Sequence, residues 1–259
     1  MRAGIIKNLG LFYETLEESK RDELAGVFLE IQMTNKKNWR VREIIARQIE
    51  ILSKIFSDDI TFKYILPICQ KLCNDEVSIV RRTASKQMYP LFMKMYSSKQ
   101  PLYRLSVVEM IKGFSASPKY SYRQVFIQMV APLIKHRDIF FENFVDEFCS
   151  IGDDRVGNVR IMLATTIREN DDSRESVEAA AVEERKEGGA GAEAVSFIKD
   201  KRIQFLIAKL KSDDSKEVRY LAMPLPLLAE FQQEVVIPTP EAHPEKPRLL
   251  FLEKVKQQP

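Results

Sequence analysis

Apolar residues recur along this chain at helical spacing, in segments separated by short polar runs. One segment carries Phe62, Ile65, Leu66, Cys69, Leu72 and Cys73, and another carries Phe140, Phe141, Phe144, Val145 and Phe148. Positions three, four and seven apart share one face of an α-helix. The polar runs NKKN, NDEVS, SPKYS, GDDRVG and SDDSKE are rich in residues that favour helix caps and turns. The pattern therefore predicts amphipathic helices joined by tight turns.

The polar runs from NKKN onward lead into a recurring dipeptide that ends in arginine. It occurs as Met1-Arg2, Val41-Arg42, Val80-Arg81, Tyr122-Arg123, Val159-Arg160 and Val218-Arg219. Successive arginines lie 40, 39, 42, 37 and 59 residues apart. The last interval contains an acidic stretch, residues 168–193, and without most of it the spacing returns to about 40. We number the repeats 1 to 6 by these six arginines.

Each arginine opens a similar apolar pattern. Seven residues after it, two helical turns along the same face, stand Leu9, Ile49, Met88, Val130 and Ile167, whereas repeat 6 has Pro226. A closed helical bundle would not require one register in repeat after repeat. Two helices in a period of about 40 residues are typical of HEAT and armadillo repeats, in which stacking buries the apolar stripes. We therefore predict an all-α solenoid of five to six helix pairs.

The predicted domain boundaries follow changes in composition. Residues 1–168 form the solenoid, which begins in mid-repeat, as expected of a fragment of a longer solenoid or of an incomplete gene model. Residues 169–196 form an acidic low-complexity insertion that we expect to be disordered. Residues 197–230 form a last, atypical repeat, because two prolines interrupt its second helix. Residues 231–259 form a proline-rich tail.

Composition indicates a soluble folded protein, since 45% of the residues are apolar and 30% are charged. The sequence contains no membrane-length apolar run and no signal peptide, so we expect no membrane association. We expect a cytoplasmic location, and a nuclear one is left open. The net charge is +3, without a concentrated basic stripe, so nucleic-acid binding is not predicted.

The chain contains three cysteines, Cys69, Cys73 and Cys149. Their odd number and apolar neighbours favour reduced core thiols over disulfides. Cys69 and Cys73 share a helix face, but no nearby Cys or His supplies further ligands, so core packing is favoured over metal binding. We predict no metal and no cofactor.

Catalytic residue patterns are weak. The two histidines are His136 and His243, and no strained serine turn accompanies either. The acidic pairs Asp153-Asp154 and Asp213-Asp214 recur at turns, where helix capping explains them more simply than acid–base catalysis. The chain is therefore predicted not to be an enzyme.

Three pieces of sequence, NWRVR, LCNDEVSIVR and DDRVGNVR, occur here in a distinctive order and spacing. With these pieces the chain resembles the C-terminal HEAT repeats of the regulatory subunit 1 family of protein phosphatase 4. It is more distantly similar to the scaffold subunit of protein phosphatase 2A. The resemblance covers roughly residues 1–168 and resumes at residues 201–222. It departs from the family at the acidic insertion and the proline-broken last repeat.

The resemblance implies a non-catalytic scaffold that binds the catalytic subunit of a serine/threonine phosphatase, together with phosphorylated substrate proteins. In the related scaffold, turns inside the repeats grip the catalytic subunit. Carried over to this chain, the partner-binding residues are Asn38, Trp39, Arg40, Asp75, Glu76, Tyr120, Tyr122, Asp153, Asp154, Arg155 and Asn158.

Two structural alternatives stand beside these assignments. Trp39 could pack its own turn onto a neighbouring repeat instead of anchoring a partner. The arginines Arg42, Arg81, Arg123, Arg160 and Arg219 could form a basic strip. The interpretation we favour, in keeping with the family, is a ladder in which they bridge to turn acids of adjacent repeats, such as Asp75, Asp154 and Asp213. The functional alternative is another HEAT scaffold, such as a fragment of a nuclear transport receptor, which would need pockets between outer helices rather than a ridge of turns.

Overall fold

The structure is a computed structural model that describes residues 7–34, 37–171 and 196–223. In these ranges every regular element is a helix, so the all-α prediction is confirmed. The described residues before Met223 belong to one compact unit, and Met223 opens a second unit. The predicted insertion and tail lie largely outside the described residues.

Helices come in pairs that follow the sequence repeats. Repeat 1 contributes α1 (Leu9–Glu14), and repeat 2 contributes α2 (Glu18–Thr34) and α3 (Trp39–Ile55). Repeat 3 contributes α4 (Asp58–Ile60), a π-helical turn (Thr61–Ile65), α5 (Leu66–Cys73) and then α6 (Ser78–Tyr96). Repeat 4 contributes α7 (Pro101–Ser115) and α8 (Tyr120–Val130), which continues into a 3-10 turn (Ala131–Lys135).

Repeats 5 and 6 complete the series. Repeat 5 contributes α9 (Arg137–Asn143), α10 (Val145–Ser150), a 3-10 turn (Ile151–Asp153) and α11 (Gly157–Glu169). Repeat 6 contributes a 3-10 turn (Phe197–Lys199), α12 (Lys201–Lys211) and α13 (Lys216–Ala222).

The π-helical turn of repeat 3 has a local cause. Pro67 lacks an N–H and its ring crowds the carbonyl of Lys63 four residues earlier. A one-residue widening of the helix relieves that crowding. The helix therefore continues through α5 instead of breaking at the proline.

The second helices of the repeats form one layer, because each contacts the next along the chain in the order α1, α3, α6, α8, α11 and α13. The core lies between this layer and the first helices. The residues seven after the arginines, Leu9, Ile49, Met88, Val130 and Ile167, are all buried, as the register predicts. Each large apolar side chain that is removed from water contributes roughly 1.5 to 3 kcal/mol. Stacking of repeats is therefore the main source of stability.

The carboxyl end of α3 is held by side chains from its neighbours. The Lys94 ammonium donates to the carbonyls of Ser53 and Phe56 at 2.6 and 2.5 Å, and Arg21 donates to the carbonyl of Ile55 at 2.9 Å. Burial lowers the pKa of Lys94, although the nearby Asp58 opposes this. These bonds satisfy carbonyls that a helix end leaves without partners.

An aromatic cluster joins the last two repeats. Phe197 is fully buried, with its ring centroid 5.8 Å from that of Phe140 and 6.4 Å from that of Phe148. Repeat 6 is thereby packed on repeat 5 where the described chain resumes. Among the helices of the described ranges, none is both long and apolar enough to span a bilayer.

Candidate protein-interaction site

The turns between the two helices of each repeat lie on one edge of the stack. We call this edge the turn ridge, and its described turns are residues 37–38, 74–77, 116–119, 151–156 and 212–215. Side-chain contacts join each of these turns to the next, as the following paragraphs describe. The edge is therefore built from consecutive turns rather than from turns scattered over the molecule.

Arginine and aspartate side chains link neighbouring turns as a ladder. Arg42 of repeat 2 donates from Nε and Nη2 to Asp75 of repeat 3, at 2.5 and 2.9 Å. Arg160 of repeat 5 binds Asp213 of repeat 6 in the same way, at 2.6 and 2.9 Å. Such two-bond pairing fixes orientation as well as distance. Neighbouring turns are therefore held in a defined register.

The third rung joins Arg123 of repeat 4 to Asp154 of repeat 5. The Arg123 guanidinium donates from Nε, and from Nη2 at 2.8 Å, to the Asp154 carboxylate. The side chain of Asp154 is only 2% exposed. This pair is the most buried of the three rungs. If one partner were removed, the charge of the other would have little access to water.

The same arginines also brace their own turns. Nη1 of Arg123 donates to the carbonyl of Ser117 at 2.8 Å, and Nη1 of Arg160 donates to that of Asp154 at 2.6 Å. Arg81 and Arg219 likewise donate to the carbonyls of Asp75 and Asp213. The guanidinium therefore closes its own turn with one nitrogen and leaves the opposite side for the next repeat.

Each ladder aspartate also caps its turn. An Oδ1 atom of Asp75, Asp154 and Asp213 accepts from the backbone N–H two residues later, at 2.8 Å in every case. Aspartate is suited to this local turn because its short side chain reaches that N–H. One carboxylate thus satisfies its own backbone and the neighbouring arginine together.

The charges of the rungs stabilise one another. Burial by itself would raise the pKa of Asp154, but hydrogen bonds from Arg123 and the Val156 N–H lower it below its usual value. The hydrogen bond from Arg160 lowers the pKa of Asp213, while burial opposes the effect. Hydrogen bonds to Asp75, Asp154 and Asp213 raise the pKa of Arg42, Arg123 and Arg160, respectively. The Arg123–Asp154 and Arg160–Asp213 pairs are therefore ionised near neutral pH.

Trp39 is the first residue of α3, and its ring is partly packed and partly open to solvent. It is half-buried and packs against the core, while the guanidinium carbon of Arg40 lies 4.6 Å from its ring centroid. The side chain of Asn38 caps the helix by accepting from the Arg40 N–H at 3.2 Å. Asn38 and Arg40 are exposed. The ring is thus fixed from beneath and accessible from outside.

The two tyrosines of repeat 4 differ. Tyr122 donates from its hydroxyl to the carbonyl of Asn74 at 3.0 Å, and its ring lies against Phe114. It therefore joins the turns of repeats 3 and 4. Tyr120 is 50% exposed and makes no hydrogen bond from its side chain within the described residues. Lys119 holds its ammonium 5.1 Å from the Tyr122 ring centroid.

The remaining candidate residues differ in whether their side chains are exposed or already paired. The carboxylates of Asp75 and Asp154 are already bound to ladder arginines. Their turns lie at the edge, but their charges are paired within the chain. Glu76, Arg155 and Asn158 are exposed. Asp153 is exposed as well and pairs with Lys209 of repeat 6.

Two clefts lie beside these residues. A cleft of about 390 Å³ opens between the turns of repeats 4 and 5, and its walls include Pro118, Ile151 and Arg155. A groove of about 530 Å³ crosses the second helices of repeats 3, 4 and 5, with Arg82 and Lys86 at one end. Both clefts are open to solvent.

The sulfur and imidazole groups are engaged in packing. Burial, and then the neighbouring Cys69 thiol, raises the pKa of Cys73 well above its usual value, so this thiol is protonated. The His136 Nε2 lies 2.7 Å from the Tyr89 hydroxyl. Among the described residues, no group of three His, Cys, Asp or Glu side chains could hold a metal ion.

Sequence reasoning found the ladder arginines and the turns, but it gave no role to Ser117, Lys119 and Asn74 within those turns. The available signal was the position six residues before each arginine, which is Asp75, Ser117, Asp154 or Asp213 in repeats 3 to 6. That offset identifies the residue whose side chain faces the previous repeat.

The chain was also compared with known proteins by sequence. No protein-family profile matches the chain. The chain is 31% identical over 175 residues to the serine/threonine-protein phosphatase 4 regulatory subunit 1 of Homo sapiens, Mus musculus and Rattus norvegicus. The matched part is 65% of this chain and 18% of each relative, so the chain spans less than a fifth of their length. The predicted resemblance is confirmed.

Proposed function

We propose that this chain is a non-catalytic scaffold module that binds the catalytic subunit of a serine/threonine phosphatase of the 4 or 2A type. Support comes from the likeness to proteins named as phosphatase 4 regulatory subunits. It also comes from the ladder, which presents consecutive turns as one braced edge. The ladder is the observation that carries the proposal.

The contact surface in this proposal is the exposed part of the turn ridge. Its members are Asn38, Trp39, Arg40, Glu76, Tyr120, Asp153, Arg155 and Asn158. Aromatic and arginine side chains dominate the energetics of protein interfaces. Trp39 is the proposed anchor, because its packed side is already ordered and little side-chain entropy remains to be lost on binding.

The proposed mechanism is positioning. A braced ridge holds the catalytic subunit at a fixed place on the scaffold, and phosphorylated substrate proteins bind elsewhere on the same chain. Two molecules held on one scaffold meet at a raised effective concentration. The scaffold contributes geometry, and the bound subunit contributes the hydrolysis.

The experiment measures binding of the purified phosphatase 4 catalytic subunit to the full chain. Trp39→Ala should weaken binding at least about tenfold, since a central aromatic anchor contributes more than about 1.4 kcal/mol. Phe205→Ala is the matched control, because Phe205 is 74% exposed and lies on a first helix away from the ridge. The control should bind as the unaltered chain does.

Circular dichroism and thermal unfolding accompany each titration. If Trp39→Ala unfolds the chain, the packing role of Trp39 prevails. If the variant stays folded and binds with unchanged affinity, the ridge is not the contact surface.

A further inference from the structure

The arginine–aspartate ladder lacks one carboxylate. Six residues before the arginines of repeats 3, 5 and 6 stand Asp75, Asp154 and Asp213, and each binds the arginine of the preceding repeat. The same position in repeat 4 is Ser117. The position that supplies the aspartate to the other three arginines is therefore a serine for Arg81, the arginine of repeat 3.

Ser117 keeps the backbone placement of the aspartates. Its Oγ accepts from the Lys119 N–H two residues later at 3.3 Å, as the aspartates accept from theirs. Its carbonyl accepts from Nη1 of Arg123, as the carbonyl of Asp75 accepts from Arg81. The turn has the same register as the others, and only the carboxylate is missing.

Arg81 consequently has the donors on Nε and Nη2 unused among the residues that the structure describes. Its Nη1 donates to the carbonyls of Asp75 and Glu76, at 2.7 and 2.9 Å. In the described ranges no carboxylate lies within 4.0 Å of it, whereas Arg42, Arg123 and Arg160 each have one. Because Nη1 is fixed, the planar guanidinium holds Nε and Nη2 ready for two parallel hydrogen bonds.

The surroundings of this gap favour an anion from outside. Arg81 is partly exposed, and Lys119, on the next turn, is exposed. The exposed Tyr120 offers an aromatic surface beside them. The opposing charge of Glu76 does not reach Arg81 as an ion pair. An acidic side chain entering between the turns of repeats 3 and 4 would meet the unused donors of Arg81, and Lys119 adds positive charge on the neighbouring turn.

We propose that this gap, formed by Arg81, Ser117 and Lys119, docks an aspartate or glutamate side chain of the protein that binds the turn ridge. The partner would complete the missing rung of the ladder. A carboxylate is favoured over a phosphate, because two donors in one plane match two carboxylate oxygens and the three occupied rungs are all carboxylates. This inference rests on the proposed function and names one anchor within its surface.

The decisive variant is Ser117→Asp in the full chain, titrated with the purified phosphatase 4 catalytic subunit. The new carboxylate should bind Arg81 from within, so the melting temperature should rise by about 2–4 °C. Binding of the catalytic subunit should weaken about tenfold, because the charge of Arg81 is then paired within the chain and the new carboxylate repels a second one. If Ser117→Asp melts at a higher temperature and yet binds less tightly, misfolding is not the cause of the weaker binding.

Three further variants complete the test. Ser117→Asn has the same shape without the charge and should bind normally. Ser121→Asp adds the same charge within the first turn of α8 and should also bind normally. Arg81→Gln removes the guanidinium donors and should weaken binding without raising the melting temperature.

The outcomes separate this inference from the proposed function. If Ser117→Asp is stabilised but binds normally while Trp39→Ala binds poorly, the ridge is the contact surface and the gap is not a docking site. If Ser117→Asp is not stabilised, the missing-rung geometry is wrong. If none of the ridge variants changes binding, both the proposed function and this inference are overturned.

Discussion

Arg123 and Asp154, 31 residues apart in sequence, form a nearly solvent-free ion pair that joins repeats 4 and 5. Asp154→Asn should lower the free energy of unfolding by about 3 kcal/mol, because removal of one partner leaves a buried charge unpaired. Urea denaturation measures this change.

Asp153→Asn is the matched control for that variant. Asp153 is the preceding residue, and its carboxylate forms an exposed ion pair with Lys209. Exposed pairs contribute at most about 1 kcal/mol. Equal effects of the two substitutions would contradict a special role for the buried rung.

The ladder should also determine how stability responds to acid. The pKa of Asp154 and of Asp213 is lowered in the folded state, so their contribution is fully present above the unfolded value of about 3.9. It is lost as the pH falls through the lowered folded values, because the unfolded chain then binds protons first. Stability should therefore be nearly constant from about pH 7 to 5 and fall below about pH 4.

Asp213→Asn isolates this contribution. The difference in stability between the variant and the unaltered chain should be largest near neutral pH and should shrink below about pH 4. Urea denaturation across that range measures the difference. A constant difference at every pH would show that the carboxylate charge of Asp213 is not what stabilises the rung.

Two glycines should respond in opposite directions to alanine. A Cβ at Gly152 would lie 2.5 Å from Cδ1 of the buried Leu206, at the contact between repeats 5 and 6. Gly152→Ala should therefore cost about 1–2 kcal/mol. Gly113 lies in α7 with no atom within 4 Å of such a Cβ, so Gly113→Ala should stabilise by about 0.5–1 kcal/mol. Thermal unfolding of both variants tests the packing of these two sites.

Tyr122 should matter for stability and Tyr120 should not. Tyr122→Phe removes the hydrogen bond to the carbonyl of Asn74 and should cost about 1 kcal/mol. Tyr120→Phe should change stability by less than about 0.5 kcal/mol. Chemical denaturation of the two variants in parallel measures their free energies of unfolding. Equal losses in the two variants would contradict the role of Tyr122 in joining the turns.

The fold could be predicted because its pattern is local. Residues such as Ile49 and Met88 face the core at a fixed distance after an arginine, since helical periodicity alone sets which face they share. Short polar turns and the period near 40 residues then leave stacked pairs as the arrangement that buries every apolar stripe. The π-helical turn before Pro67 was not predicted, because its cost depends on whether neighbouring helices favour a continuous path.

The candidate site was predicted less completely. The resemblance assigned Asp75 and Asp154 to a partner, and the ladder interpretation assigned the same two acids to arginines of the chain. In the structure both carboxylates bind ladder arginines. Tyr122 likewise serves the neighbouring turn. The residue types of a turn show that a side chain lies near the edge. They do not show whether that side chain is already hydrogen-bonded to a neighbouring repeat.

The sequence by itself determined the helices, their register and the positions of the ladder arginines, because these follow from spacings within about 40 residues. Only the tertiary structure decided which acid meets which arginine, how far Trp39 is covered, and that Arg81 has no carboxylate partner among the described residues. Those pairings join residues 31 to 53 positions apart, and their geometry depends on how one repeat is stacked on the next.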